Sequence, residues 1–261
     1  MTFDFRNVRC GGFQLRAARW HARGGGSMPL LFLNGIGADI ETIEPFARAL
    51  GRDLITFDPP GIGGSPDPAF PYALPQLAAA LPDLLAAFGQ DRADIAGFSW
   101  GGALAQQFAL QFPHQVRRLA LIAASHGFTT LPGDPVALLE LTDPRALMRS
   151  ELREAGGQDE RTTGHVPQRR PVGFACQLAA LTGWSSVPLL PFLACPTLVL
   201  SGQRDQIVPA FNARLLETMI PQSTGVSLPD AGHLLMWTHR PAVVGALDDF
   251  LGGAGGLRVE G

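Results

Sequence analysis

The segment Gly97-Phe98-Ser99-Trp100-Gly101 constrains the fold of this chain more than any other part of the sequence. Residues 92–96, just before it, have the short apolar pattern of a buried β-strand, and residues 102–110, after it, have the pattern of a buried helix. Strand, G-x-S-x-G and helix in this order predict a tight turn, a nucleophile elbow, which lifts the serine hydroxyl above the sheet edge. The sequence therefore predicts an α/β fold with Ser99 as its nucleophile.

A serine hydroxyl is a weak nucleophile, so the chain should also supply a base and a carboxylate that orients the base. In this arrangement the acid follows the serine and the histidine comes last. Residues 197–200 predict a buried strand, and Asp205 lies in the loop after it, where catalytic groups of open α/β sheets collect. Asp230 is the competing acid, but it shares the loop of the histidine candidate and is interpreted as shaping that turn. Asp205 is the predicted acid.

Among six histidines, His233 combines the required chain order with a loop that follows a short strand. His126 also follows a strand, but it precedes any suitable acid, so we expect it at the mouth of the site. His165 lies in a Gly-, Pro- and Arg-rich region without a preceding strand. We therefore predict His233 as the base.

Acyl transfer also needs N–H donors for a developing oxyanion. One donor is expected to be the backbone N–H of Trp100, the residue after the nucleophile. The second should come from the glycine-containing loop at residues 34–38, after a predicted strand, and Ile36 is the candidate. Four further residues are predicted to line the substrate site: Asn34, His126, Phe174 and Trp184. For Phe174 and Trp184 the alternative is simple packing on the main domain.

The order of predicted elements indicates an α/β domain with a mostly parallel sheet, helices on both faces and an inserted cap. The predicted strands span residues 3–8, 13–20, 30–34, 54–58, 93–98, 119–123, 197–200 and 225–228, and a helix is predicted over 75–88. The alternation stops for about sixty residues after the sixth strand, which is too long for a simple loop and predicts a lid. The expected domains are a core (1–126 and 188–251), a lid (127–187) and a flexible C-terminal tail (252–261).

Composition excludes several classes of function. A formal net charge of −3 and a pI of about 6.1 do not indicate the basic surface that is typical of nucleic-acid-binding proteins. All 20 basic residues are arginines, which excludes mechanisms that need a lysine. Cys10, Cys176 and Cys195 are irregularly spaced and predict neither a disulfide framework nor a zinc site, so no metal or cofactor is expected. Without a signal-peptide core or an apolar run long enough for a bilayer, the chain is expected to be cytoplasmic.

Several longer segments narrow the interpretation: FLNGIGA (32–38), FDPPGIGGS (57–65), SWGGALAQQFA (99–109), GWSS (183–186), PTLVL (196–200) and DAGHL (230–234). Together they resemble the α/β-hydrolases, and within them the bacterial intracellular depolymerases of medium-chain-length polyhydroxyalkanoate. The resemblance covers most of the core and reaches into the predicted lid.

The resemblance implies hydrolysis of 3-hydroxyacyl esters, with Ser99 attacking the carbonyl, His233 taking its proton and Asp205 holding the imidazole. It implies an ester substrate and contact with the polyhydroxyalkanoate granule surface, while the oligomeric state stays open. A carboxylesterase for small medium-chain esters and an acyltransferase that prefers an alcohol over water would both keep the same triad, as would peroxide-dependent halogenation.

Overall fold

The computed structural model describes residues 3–22, 28–127, 130, 132–143, 147, 165, 167–168 and 170–252. The predicted tail lies outside these residues except for Gly252, and so does much of the central part of the predicted lid. In the described ranges, no helix is both long enough and apolar enough to cross a membrane.

One sheet of eight strands forms the centre of the fold. The strands are β1 (Asp4–Cys10), β2 (Phe13–Trp20), β3 (Leu30–Leu33), β4 (Leu54–Phe57), β5 (Ala93–Phe98), β6 (Val116–Ile122), β7 (Thr197–Gly202) and β8 (Ser223–Leu228). Their order is β1-β2-β4-β3-β5-β6-β7-β8; β2 pairs antiparallel with β1 and β4, and all other neighbours are parallel. The predicted fold class is confirmed.

Helices connect and cover the strands. They are α1 (Glu44–Leu50), α2 (Leu74–Ala78), α3 (Leu81–Ala87), α4 (Trp100–Gln111), α5 (Pro135–Glu140), α6 (Pro171–Leu181), α7 (Ala210–Met219), α8 (Leu235–Thr238) and α9 (Arg240–Gly252), with 3₁₀ turns at Ile40–Ile43, Pro113–Gln115 and Val187–Phe192. The single helix predicted over residues 75–88 is two helices, α2 and α3. Pro82 has no N–H to continue the hydrogen-bond ladder of α2, so it lies in the first turn of a new helix.

The central strands bury side chains on both faces. Ile95 of β5 belongs to the cluster that also holds residues of α3, α4 and α7, whereas Ala96 and Phe98 belong to the cluster that holds residues of α1 and α9. Because both faces are covered, these strands contain continuous apolar runs instead of alternating polar and apolar residues.

The turn from β5 into α4 is crowded by backbone atoms. A Cβ on Gly97 would lie 2.3 Å from the carbonyl oxygen of Gly101, and a Cβ on Gly101 would lie 2.0 Å from that of Leu33 in β3. Ser99, between the two glycines, has φ 53° and ψ −118°, a conformation that costs a non-glycine residue about 1–3 kcal/mol. The packing of α4 against β3 and β5 therefore holds Ser99 in a strained turn.

We expect Gly101→Ala to lower the free energy of unfolding by at least about 2 kcal/mol, because the new methyl group must displace backbone atoms. The matched control is Gly245→Ala in α9, where a Cβ would meet no atom within 4 Å. This control should raise stability by about 0.5–1 kcal/mol through helix propensity. Urea unfolding of both variants measures the difference; a Gly101→Ala protein as stable as wild type would contradict the crowding argument.

Candidate active site

The carboxyl ends of β5, β7 and β8 bring Ser99, Asp205 and His233 together. The Nε2 of His233 lies 3.0 Å from the Oγ of Ser99, and its Nδ1 lies 2.8 Å from the Oδ2 of Asp205. A carboxylate only accepts hydrogen bonds, so Nδ1 carries the imidazole proton and Nε2 is left to accept the serine hydroxyl proton. The arrangement can deprotonate Ser99 and stabilise the imidazolium that forms.

The carboxylate of Asp205 is held from its other side by the backbone. Its Oδ1 accepts hydrogen bonds from the N–H groups of Ile207 and Val208, at 2.9 and 2.7 Å. Asp205 and His233 are both buried, so these bonds replace the water that a carboxylate would otherwise need. Asp230, the competing acid, instead lies on the surface, where it pairs with Arg204.

Aromatic side chains support the imidazole. The ring of Phe98 lies 5.2 Å from the His233 ring and makes an edge-to-face contact with Trp237, with centroids 5.3 Å apart. The same ring closes against Gly35, where a Cβ would lie 2.9 Å from it. Phe98 thus packs against the His233 ring, and Asp205 holds Nδ1 of that ring by a hydrogen bond.

The loop at residues 34–38 follows β3 and lies against the nucleophile. A Cβ on Gly35 would be 3.6 Å from the Cβ of Ser99. In this loop Ala38 N–H donates to the Gly35 carbonyl at 3.2 Å, and Gly37 N–H donates to the side chain of Gln177 at 2.8 Å. Ile36 N–H donates to no acceptor among the described residues, and Ile36 lines the pocket beside Ser99.

The second candidate donor is at the start of α4. Trp100 is the first residue of this helix, so its N–H has no intrahelical acceptor. Trp100 therefore follows Ser99 with a helix-start N–H free of intrahelical acceptors, and Ile36 lines the same pocket as Ser99; their role as oxyanion donors stays a prediction.

An apolar pocket opens in front of Ser99. Its polar lining residues are Thr42, Ser99, His165 and His233, and the others are small or apolar: Gly35, Ile36, Ala38, Phe98, Leu141, Leu147, Pro167, Leu234 and Trp237. Leu141, Leu147, His165 and Pro167 belong to the predicted lid segment. Such a surface suits an acyl chain, since burying each methylene contributes about 0.8 kcal/mol.

The four predicted substrate-binding residues do not line this pocket. Asn34 is buried and donates from Nδ2 to the Asp39 carbonyl at 2.9 Å. His126 is buried at the base of the lid segment; burial lowers its pKa, and a hydrogen bond with Asn212 opposes that shift. Their substrate contacts stay a prediction.

The two aromatic candidates lie further along the lid segment. The indole Nε1 of Trp184 donates to the Oε1 of Gln107 at 2.8 Å, so Trp184 joins the segment to α4. Phe174 of α6 packs on Gly37 and lines an adjoining cavity that shares Leu141 with the main pocket. Phe174 therefore lies beside the loop at residues 34–38.

His165 is a pocket residue that the sequence did not indicate. Its Nε2 lies 2.9 Å from the Oδ2 of Asp39, and Asp39 Oδ1 accepts the hydroxyl of Thr42 at 2.7 Å. These two residues are 126 positions apart, and no local motif predicts the contact. Glu41, whose carboxylate pairs with Arg16, completes a group of three possible metal ligands with donor atoms within 4.8 Å of one another. Each member already has a protein partner.

Comparisons with known proteins identify the family of the chain. The family model described as alpha/beta hydrolase fold matches residues 28–240. A poly(3-hydroxyalkanoate) depolymerase from Ectopseudomonas oleovorans is 38% identical over 85% of this chain and 84% of its own length. A pimeloyl-[acyl-carrier protein] methyl ester esterase from Edwardsiella ictaluri is 30% identical over 92% of this chain and 99% of its own length.

Solved structures give the same fold. The enol-lactonase from Burkholderia xenovorans LB400 superposes with a TM-score of 0.80 at 23% identity, covering 95% of this chain and all of its own. A hydrolase from Pseudomonas aeruginosa PA01 superposes with a TM-score of 0.75 at 26% identity, covering 97% of this chain and 99% of its own. The strained serine turn, the order of the site residues along the chain and these similarities lead to one conclusion: the chain belongs to the alpha/beta hydrolase fold family.

Proposed function

We propose that this hydrolase cleaves carboxylic esters through an acyl-enzyme on Ser99. The observation that carries the proposal is the hydrogen-bond chain from Ser99 through His233 to Asp205 at the floor of an apolar pocket. Ser99 Oγ attacks the ester carbonyl while its proton moves to Nε2 of His233, and Asp205 stabilises the imidazolium. The N–H groups of Ile36 and Trp100 bind the oxyanion of the tetrahedral intermediate.

In the remaining steps the imidazolium gives its proton to the leaving alkoxide, and the alcohol departs. A water molecule then loses a proton to His233 and attacks the acyl-enzyme, and collapse of the second tetrahedral intermediate returns the proton to Ser99. The products are a carboxylic acid and an alcohol. No further reactant is needed for the cycle.

We propose 3-hydroxyacyl esters of medium-chain-length polyhydroxyalkanoate as the substrate class. The 38% identity to a poly(3-hydroxyalkanoate) depolymerase over most of both chains supports this choice, and so does the apolar lining of the pocket. The second candidate is a small-molecule carboxylesterase, which the 30% identity to a methyl ester esterase favours. Both candidates use the same catalytic residues and differ in how the substrate reaches them.

Residues 127–187 act as a lid in this proposal. The two ends of the segment meet at its base, where Gly127 forms an isolated β-bridge with Ser185 and the Ser186 N–H donates to the His126 carbonyl. Between these ends, the segment supplies Leu141 and His165 to the pocket wall. An insertion whose ends meet at its base and whose described residues line the pocket is suited to control substrate access.

Helix α5 gives this lid a candidate contact with the granule surface. Ala137 is buried, whereas Val136 and Leu139 are 68% and 69% exposed. Because the helix is followed directly by the pocket residue Leu141, an amorphous polyester surface touching α5 would lie near the pocket. We therefore propose a cytoplasmic enzyme that associates with granules through α5.

Replacing the nucleophile tests the mechanism. We expect Ser99→Ala to lower kcat on p-nitrophenyl octanoate by at least about 1,000-fold, because the acyl-enzyme can no longer form. Ser125→Ala, a serine in the loop after β6, should keep kcat within about twofold of wild type. Residual activity of Ser99→Ala above about a tenth of wild type would refute the proposed nucleophile.

The substrate class is tested by comparing a polymer with a soluble ester. We expect the purified enzyme to release 3-hydroxy acids from amorphous medium-chain polyhydroxyalkanoate particles and also to hydrolyse p-nitrophenyl octanoate, with both activities lost in Ser99→Ala. Chromatography of the released acids measures the first reaction, and absorbance of p-nitrophenolate measures the second. Hydrolysis of the soluble ester alone would reject the polyester and favour the small-molecule carboxylesterase.

If α5 contacts the granule, a change in α5 should lower activity on polymer particles but not on a soluble ester. We expect the double substitution Val136→Ser and Leu139→Ser to lower 3-hydroxy acid release from particles at least about fivefold, because two apolar side chains are lost from the contact. Activity on p-nitrophenyl octanoate should stay unchanged. Phe70→Ser removes another exposed apolar side chain, in the loop between β4 and α2, and serves as the control. Equal losses on both substrates would argue against docking by α5.

A further inference from the structure

Gln177 of α6 connects the lid segment to both elements that carry the oxyanion donors. Its side chain is fully buried, and its Oε1 accepts the Gly37 N–H at 2.8 Å across 140 positions of sequence. Its backbone carbonyl accepts the indole N–H of Trp100, also at 2.8 Å. One residue therefore contacts the loop at residues 34–38 and the first residue of α4.

The bond from Gly37 to Gln177 holds the peptide group directly after Ile36. Gly37 has φ +72°, and its N–H belongs to the peptide group that follows Ile36. With Gly37 N–H fixed by Gln177 and Ala38 N–H fixed by Gly35, the turn has little freedom to rotate. Because Ile36 N–H has no acceptor among the described residues, its orientation depends on the conformation of this turn.

The other end of the Gln177 amide is buried at an energetic cost. A backbone N–H can only donate, so the oxygen of the amide must face Gly37 and the Nε2 must point away from it. That Nε2 is buried and has no hydrogen-bond partner among the residues that the structure describes. A buried unpaired donor is destabilising, so the hydrogen bond that Gln177 accepts from Gly37 must offset this cost.

We propose that Gln177 is a positioning residue for the oxyanion hole, acting through Gly37 on the N–H of Ile36. The inference rests on the proposed ester hydrolysis by Ser99. It gives the lid segment two tasks: part of it lines the acyl pocket, and α6 holds the loop whose N–H stabilises the transition state. The oxyanion hole is then complete only when α6 is packed on the core.

The test compares Gln177→Met and Gln177→Asn with wild type. Methionine keeps the length but removes the acceptor, and asparagine keeps the amide but is one methylene too short to reach Gly37. We expect kcat on p-nitrophenyl octanoate to fall about 10- to 100-fold in both, somewhat less than the loss of a complete oxyanion donor, with KM within about twofold of wild type. Thermal melting verifies that each variant is folded.

Gln106→Met is the matched control. Gln106 is also fully buried and also joins the core to the lid segment, since its Oε1 accepts the hydroxyl of Ser186 at 2.7 Å, but it makes no hydrogen bond to residues 34–38. Its replacement should lower the melting temperature without the fall in kcat. Comparing Gln106→Met with Gln177→Met therefore separates the effect of losing a buried glutamine from the effect of losing the hydrogen bond to the loop at residues 34–38.

Inhibitors separate positioning from packing. Ser99 adds to the carbonyl of 1,1,1-trifluorodecan-2-one to form a hemiketal oxyanion, whereas decan-2-one occupies the pocket without forming one. We expect Gln177→Met to raise the inhibition constant of the trifluoroketone by a factor similar to the fall in kcat, and to change that of decan-2-one by less than about twofold.

Equal weakening of both inhibitors, or wild-type kcat in Gln177→Met and Gln177→Asn, would overturn the inference while leaving the triad mechanism intact. Failure of wild type to show any Ser99-dependent hydrolysis would overturn the proposed function, and this inference with it.

Discussion

The close approach of three backbone segments at Ser99 is the constraint on which the rest of the site depends. Gly101 lies so near the end of β3 that a Cβ would touch the carbonyl oxygens of both Leu33 and Asn34. This contact holds Ser99 in its strained turn and also brings the loop that begins at Asn34 next to the nucleophile. This one crowded contact thus sets the position of Ser99 and of the loop that holds the proposed oxyanion donor Ile36.

Beside this turn, hydrogen bonds compensate the buried side chains of Asp205 and His233 for the lost water. Asp205 has two backbone donors and His233, and His233 has Asp205 and Ser99. The apolar contacts of Phe98 exclude water from one face of the imidazole. In such surroundings a positioned hydrogen bond is worth more than in water, which is why small displacements of its donors matter.

Sequence predicted the parts of this structure that local pattern determines. The bounds of β2 and β5 were predicted to the residue, because each is a continuous β-type run with glycine or a turn at its end. The break at Pro82 was missed because the amphipathic pattern continues across it. The motif context, the order along the chain and the loops after predicted strands point to Ser99, Asp205 and His233, and the structure places these three side chains within hydrogen-bond distance of one another. In contrast, the contacts Gly37 to Gln177 and Asp39 to His165 join positions more than 100 residues apart, and no periodicity encodes such pairs.

These differences divide the site into two physical parts. The sheet edge supplies Ser99, Asp205 and His233 through loops that begin where strands end, so their positions follow from the fold of the core. The predicted lid segment supplies Leu141 and His165 to the pocket wall, so under the proposed function the choice of acyl chain depends on it. Helix α6 belongs to the second part by sequence but is tied to the first through Gln177. Changes in residues 132–168 could therefore alter the substrate with little effect on the chemistry, whereas a change that moves α6 would affect both.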